Sequence, residues 1–139
     1  MKPQLFPRTT AQAQASLTEN KNLIMSIPAG AGGTYRWAQF DDYLSRPRAK
    51  FLWQVPLSMR LQARCSSPQH VGTWGFGLWN DPFSINLGVG GANRRLPSLP
   101  NAAWFFYASS PNHLAFHNSI PAQGFLAATF SSPKLAARL

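Results

Sequence analysis

Residues 72–83, Gly-Thr-Trp-Gly-Phe-Gly-Leu-Trp-Asn-Asp-Pro-Phe, constrain this chain more than any other stretch. Gly72, Gly75 and Gly77 fall within six residues, and each costs a helix about 1 kcal/mol relative to alanine. A strand is predicted instead. Trp74, Phe76, Leu78 and Asn80 then share one face, and Thr73, Gly75, Gly77, Trp79 and Asp81 share the other. Glycine on one side and bulky residues on the other describe a strand whose glycine side is closely approached, by another backbone or by a ligand. The run ends at Asn80-Asp81-Pro82, because Pro82 biases Asp81 away from helical backbone. An acid and a tryptophan are thereby set at the rim of a sheet.

The rest of the chain repeats the strand pattern. Leu57, Met59, Leu61, Ala63 and Cys65 alternate with Ser58, Arg60, Gln62 and Arg64, nine consecutive positions at period two. Cys65 is thus expected as a small buried hydrophobe. In the stretch 34–43, Tyr35, Trp37, Gln39, Asp41 and Tyr43 fall on one face, and Arg36, Ala38, Phe40 and Asp42 on the other. Further strands are predicted over 23–25, 51–55, 85–91, 102–109 (apolar on both faces), 114–116 and 124–131. Short strands about ten residues apart, with Gly/Pro turns between, indicate an all-β antiparallel sandwich. A chain of 139 residues, 45% hydrophobic and 13% aromatic, suits one such domain. The expected organisation is a flexible N-terminal arm over 1–20, a β-sandwich domain over 21–132 and a frayed tail over 133–139.

Charge is the unusual part of the composition. Thirteen basic residues face four acidic ones, for a net charge of +9, yet charged residues make up only 12% of the chain. The arginines are scattered in small groups such as Arg60 with Arg64 and Arg94 with Arg95, and no zinc-finger spacing or aromatic RNA-binding motif accompanies them. Nucleic acid is therefore not the expected partner, and binding to a polyanion stands as an alternative reading of the charge. No run of about 18 apolar residues is present, so no membrane span is expected. The polar start and the lone cysteine favour a cytoplasmic setting.

Three stretches together resemble a family: Trp37-Ala38-Gln39-Phe40-Asp41-Asp42-Tyr43, then 72–83, then Ala103-Trp104-Phe105-Phe106-Tyr107-Ala108-Ser109. They are similar to the concanavalin A-like lectin/glucanase superfamily, and the glycine-aromatic run is the most specific part. The resemblance spans about residues 23 to 131. It implies a jelly roll of two curved antiparallel sheets whose concave face binds glycans in many relatives. Hydrolases of that superfamily carry a Glu-x-Asp-x-x-Glu or Glu-x-Asp-x-Glu strand; this chain has neither, and Glu19 is its single glutamate. Such jelly rolls also use more strands than are countable here. An incomplete sandwich is therefore expected, from a fragment, a shortened homologue or half of a pair, with exposed edges that invite self-association.

The residue chemistry points the same way. A tryptophan on a sheet face stacks on a sugar ring while an acid or amide beside it bonds the hydroxyls. Trp37 is in phase with Gln39 and Asp41, and Trp79 with Asp81 next to Asn80. These six residues are the candidate glycan-binding set of a non-catalytic carbohydrate-binding or interaction module. Trp53, Trp74 and Trp104 are expected in the core. The alternative is a glycosidase. Glycoside hydrolysis requires two carboxyls about 5 to 9.5 Å apart, and Asp81 with Asp41 or Asp42 would have to supply them. Asp41 and Asp42 are strand neighbours facing opposite ways and cannot pair with each other. The structural alternative is an arginine partner for Asp41 or Asp42 and a turn-capping role for Asp81. His113 and His117 have a zinc-like spacing, but Pro111 disfavours a helix there and a third ligand is missing. Gly88-Val89-Gly90-Gly91 lacks the features of a phosphate loop, and Ser109, Ser110 and Cys65 have no base at readable spacing. No catalytic residue, metal or cofactor is assigned.

Overall fold

Alternating side-chain faces make a strand only where another strand takes up the backbone hydrogen bonds. The computed structural model describes residues 3–10, 12–30, 33–44, 46–81, 98–110 and 123–131. Among these residues, seven strands meet that condition: β1 (Phe6–Thr9), β2 (Gln14–Leu17), β3 (Leu23–Ser26), β4 (Ala38–Asp41), β5 (Thr73–Trp79), β6 (Asn101–Ala108) and β7 (Gly124–Ser131). Every pairing is antiparallel. The sole helical piece among the described residues is a 3-10 turn at Arg48–Lys50. The protein is all-β. Two compact units divide it, Met1–Leu52 with Phe83–Pro97, and Trp53–Pro82 with Ser98–Leu139.

In the first unit β1 pairs with β4 and β2 with β3, and the two pairs lie against each other. The β2–β3 hairpin closes through Thr18 and Asn22, whose N–H to O bond is 2.9 Å. Lys21 takes a left-handed φ of 62° inside that loop, as three-residue hairpin loops require of their last residue. Strands β1 and β2 occupy the stretch 1–20, where sequence suggested a flexible arm. Four-residue strands are too short to show a convincing period, and these two are held by partners more than 5 residues away in the chain.

In the second unit β5, β6 and β7 form one sheet with β6 in the middle. Its centre has the two-sided apolar character that sequence gave Ala102 to Ser109. The β5–β6 register sets Gly75 opposite Phe106 and Gly77 opposite Trp104. A Cβ added at Gly75 would meet the Phe105 carbonyl oxygen and, at 2.7 Å, Phe106 Cγ; at Gly77 it would meet the Ala103 carbonyl oxygen and, at 2.9 Å, Trp104 Cδ1. The close approach predicted for the glycine side is made by β6. Trp104 is the hub of this face, with its ring 5.8 Å from Trp79, 5.6 Å from Phe106 and 5.1 Å from Phe130. Ala102 and Ala108, on the same face of β6, are buried. Aromatic pairs at such spacings contribute about 0.5–1.5 kcal/mol each beyond their buried area.

Two expected strands do not form. Residues 51–55 are not a strand; Phe51 instead packs on Tyr43 with ring centroids 5.3 Å apart. The stretch 57–65, whose alternation is the cleanest in the chain, has no strand partner among the described residues. Leu57, Met59 and Leu61 are exposed, and Cys65 is half-buried rather than in a core. Period two describes how side chains alternate, and it supplies no partner for the backbone. The strands expected at 85–91 and 114–116, His113, His117, the Gly88 loop and the tail 133–139 lie outside the described residues. No helix among the described residues is long and apolar enough to cross a membrane.

Candidate functional site

Strand β4 carries the first candidate group, and its pairing with β1 determines what that group meets. Arg8 sits opposite Gln39, on the face that Asp41 also shares. Its Nη1 lies 3.3 Å from Asp41 Oδ2, and its guanidinium stands over the Trp37 ring, 5.4 Å from the centroid. Gln39 Nε2 donates to Asp41 Oδ2 and to the Tyr43 hydroxyl, both at 3.1 Å. The Tyr43 backbone N–H donates to Asp41 Oδ1 at 3.3 Å. Thr10 Oγ1 accepts the Trp37 backbone N–H at 2.8 Å.

The structure thus brings Trp37, Gln39 and Asp41 together, as the alternation predicts, and adds Arg8, which the sequence reading left in the arm. Asp41 is only 5% exposed, and its carboxylate is occupied by three partners from the protein itself. The arginine partner considered for Asp41 or Asp42 is therefore Arg8 on Asp41. One face of Trp37 is covered by a cation, an arrangement that contributes about 0.5–2 kcal/mol where it is desolvated. Arg8 Nε and Trp37 Nε1 are buried donors with no partner among the described residues. Asp41 and Tyr43 are the buried members of this polar cluster, and Arg8, Trp37 and Gln39 are half-buried.

The second candidate group closes the sheet of the other unit. Asn80 Nδ2 donates to Ser98 Oγ at 3.1 Å and to the Leu99 carbonyl at 2.9 Å, and Asn80 Oδ1 accepts the Asn101 backbone N–H at 2.9 Å. Its amide ties the end of β5 to the start of β6. Asp81 follows with a left-handed φ of 49° and is 8% exposed. Trp79 is half-buried against Trp104. Of this group, Asn80 stabilises the chain reversal, and Trp79 belongs to the aromatic cluster over the glycines. Asp41 and Asp81 lie in different units.

The opposite face of the β5–β6–β7 sheet is where aromatic surface is open. Trp74, Tyr107 and Phe125 lie side by side across its three strands, with centroids 6.1 Å apart for Trp74–Tyr107, 5.3 Å for Trp74–Phe125 and 6.0 Å for Tyr107–Phe125. Phe125 is 61% exposed and Phe105, on the same face, is 41% exposed. Residues Ala63, Arg64, Cys65, Ser67, Pro68 and His70 rise beside this surface and complete an open cleft of about 440 Å³. The turn 66–69 that shapes its wall is held by the Gln69 N–H on Ser67 Oγ at 3.1 Å. Gly72 enters β5 with a φ of 122°, and its N–H donates to Ser109 Oγ at 2.8 Å.

Among the described residues, no aspartate or glutamate lines the cleft. The polar residues of its described lining include Arg64, Ser67 and His70, with Cys65 and the hydroxyl-bearing Tyr107, beside an aromatic floor. Such a lining can stack a planar or ring-shaped ligand and donate hydrogen bonds to it. Trp74 is half-buried and lines the cleft, and Trp53 is 40% exposed; both were expected in the core. The signal for Trp74 was present in the strand phase, which separates it from the glycines and Trp79. What sequence could not supply was the accessibility of each face. Among the described residues, no group of three or more His, Cys, Asp or Glu is placed to hold a metal ion. Comparison of the chain with protein-family models, with curated proteins and with solved structures finds no match.

Proposed function

We propose that this chain is a non-catalytic carbohydrate-binding module of concanavalin A-like type that holds its ligand in the cleft over Trp74, Tyr107 and Phe125. The carrying observation is that contiguous aromatic surface, open to solvent and bordered by Arg64, Ser67 and His70. Sugar rings stack their C–H faces on aromatic rings, and the polar border bonds hydroxyls or a ring carboxylate. Among the described residues no carboxyl group lines the cleft, and Asp41 is bonded to Arg8 and Gln39. Both facts favour binding over hydrolysis by the Asp81 route. Fold resemblance alone does not assign a function, so the proposal rests on the cleft.

The test is a titration of the full chain with neutral and acidic oligosaccharides, followed by tryptophan fluorescence and calorimetry. Binding is expected to perturb Trp74. Trp74→Ala or Tyr107→Ala should weaken it about tenfold or more, about 1.4 kcal/mol, while Asp81→Asn leaves it unchanged. Reducing-sugar release abolished by Asp81→Asn would establish the hydrolase instead. Affinity that collapses with salt irrespective of sugar structure would favour the polyanion reading, which the net charge of +9 keeps in view. No binding by any oligosaccharide, or binding indifferent to Trp74 and Tyr107, refutes the proposal.

A further inference from the structure

Residues 57–65 alternate as a strand does but have no strand partner among the described residues. The segment runs from Leu57 to Cys65 with no helix, turn or bend, and Leu57 to Arg64 are all exposed. None of its nine residues makes a hydrogen bond to another described residue. None is proline, so every backbone N–H is available as a donor. Leu57, Met59 and Leu61 remain in water at 36%, 41% and 46% exposure. An alternating segment with free backbone groups is a template for strand addition.

We infer that this segment pairs antiparallel with the same segment of a second copy, about a two-fold axis at Leu61. The segment's own pattern selects that occupant. With Leu61 opposite the second copy's Leu61, Met59 faces Ala63 and Leu57 faces Cys65, so apolar residues meet apolar residues along one side. On the other side Arg60 faces Gln62 and Arg64 faces Ser58, and no like charges are opposed. The neighbouring registers that keep the same faces are penalised. Centring on Arg60 sets Arg60 against Arg60, and centring on Gln62 sets Arg60 against Arg64. Parallel in-register pairing opposes both arginines to themselves. One register thus pairs all nine residues with no arginine directly opposite another, and it is self-complementary, as a two-fold interface must be.

Sedimentation equilibrium of the full chain tests the pairing. The expected result is a monomer–dimer equilibrium. Adjacent residues of a strand aim their N–H groups at opposite edges, so one of Leu61→Pro and Gln62→Pro removes a donor to the second copy and should shift the equilibrium to monomer while circular dichroism is unchanged. Cysteine variants then read the register. In a Cys65→Ala background, Leu61→Cys should form an interchain disulfide under mild oxidation, and Met59→Cys, which faces Ala63, should not. A wild-type chain that stays monomeric at every concentration overturns the inference, including by pairing of 57–65 within one chain. A dimer that survives both proline substitutions, or Met59→Cys crosslinking as readily as Leu61→Cys, overturns it as well.

Discussion

Replacing Gly75 by alanine tests the β5–β6 register and the reason for the glycine-aromatic alternation together. In an ordinary strand interior, alanine is more stable than glycine by about 0.5–1 kcal/mol, because glycine loses more backbone freedom on folding. At Gly75 the new methyl would meet the Phe105 carbonyl oxygen, Phe106 Cγ at 2.7 Å and Phe106 Cα at 2.8 Å. Two of these three atoms are backbone of the central strand, so a rotamer change cannot relieve the overlap. Overpacking of this kind costs about 1–3 kcal/mol, and backbone obstruction places this site at the upper end. Set against the propensity gain, the net loss is about 2 kcal/mol. With a urea dependence of about 2 kcal/mol per molar, the unfolding midpoint should fall by about 1 M. Tryptophan fluorescence is a suitable probe, because Trp53, Trp74, Trp79 and Trp104 all belong to the second unit. Thr73→Ala, at an exposed position on the same face of β5, should stay within about 0.5 kcal/mol of wild type. Gly75→Ala should remain destabilising in a Phe106→Ala background, since the carbonyl obstruction persists. A Gly75→Ala midpoint at or above that of wild type would refute the ring-over-glycine packing and the register that produces it.

Asp41→Asn, which leaves Arg8 largely buried without its counter-charge, should lower stability by about 3 kcal/mol in thermal or urea unfolding; a loss below about 1 kcal/mol would mean the pair behaves as a surface ion pair. The two faces of the second-unit sheet should respond unequally to truncation. Trp104→Ala, which removes the hub of the glycine face, should cost about 3–5 kcal/mol. Phe125→Ala should cost about 1 kcal/mol or less, because that ring is 61% exposed. Equal losses in urea unfolding would contradict the assigned exposures.

The readable parts of the fold share a local cause. The glycine-aromatic run placed β5 and sorted its faces correctly, because the pleat turns successive positions such as 74 and 75 to opposite faces. The two-sided apolar stretch became the middle strand β6, and β7 spans Gly124–Ser131 as the alternation indicated. The candidate site was legible only in part. Trp37, Gln39 and Asp41 do share a face, but the partner of the Asp41 carboxylate is Arg8, 33 residues away in the chain. Asn80 is where the rim was expected, and its amide is used to bind Ser98, Leu99 and Asn101. Trp74 was expected in a core because it sits among apolar neighbours in the chain. Its surroundings in space are instead a cleft.

Amino-acid order alone determined the all-β class, the turn residues and the face on which each β5 side chain lies. Those are consequences of backbone sterics and of the two-residue pleat, which act between neighbours in the chain. Tertiary structure alone decided that Asp41 meets Arg8, that Phe106 and Trp104 lie opposite the glycines, and that the alternating stretch 57–65 has no strand beside it among the described residues. Those outcomes depend on hydrogen-bond partners and solvent exclusion contributed by segments distant in sequence, and a period of two contains no information about which segment will be the neighbour.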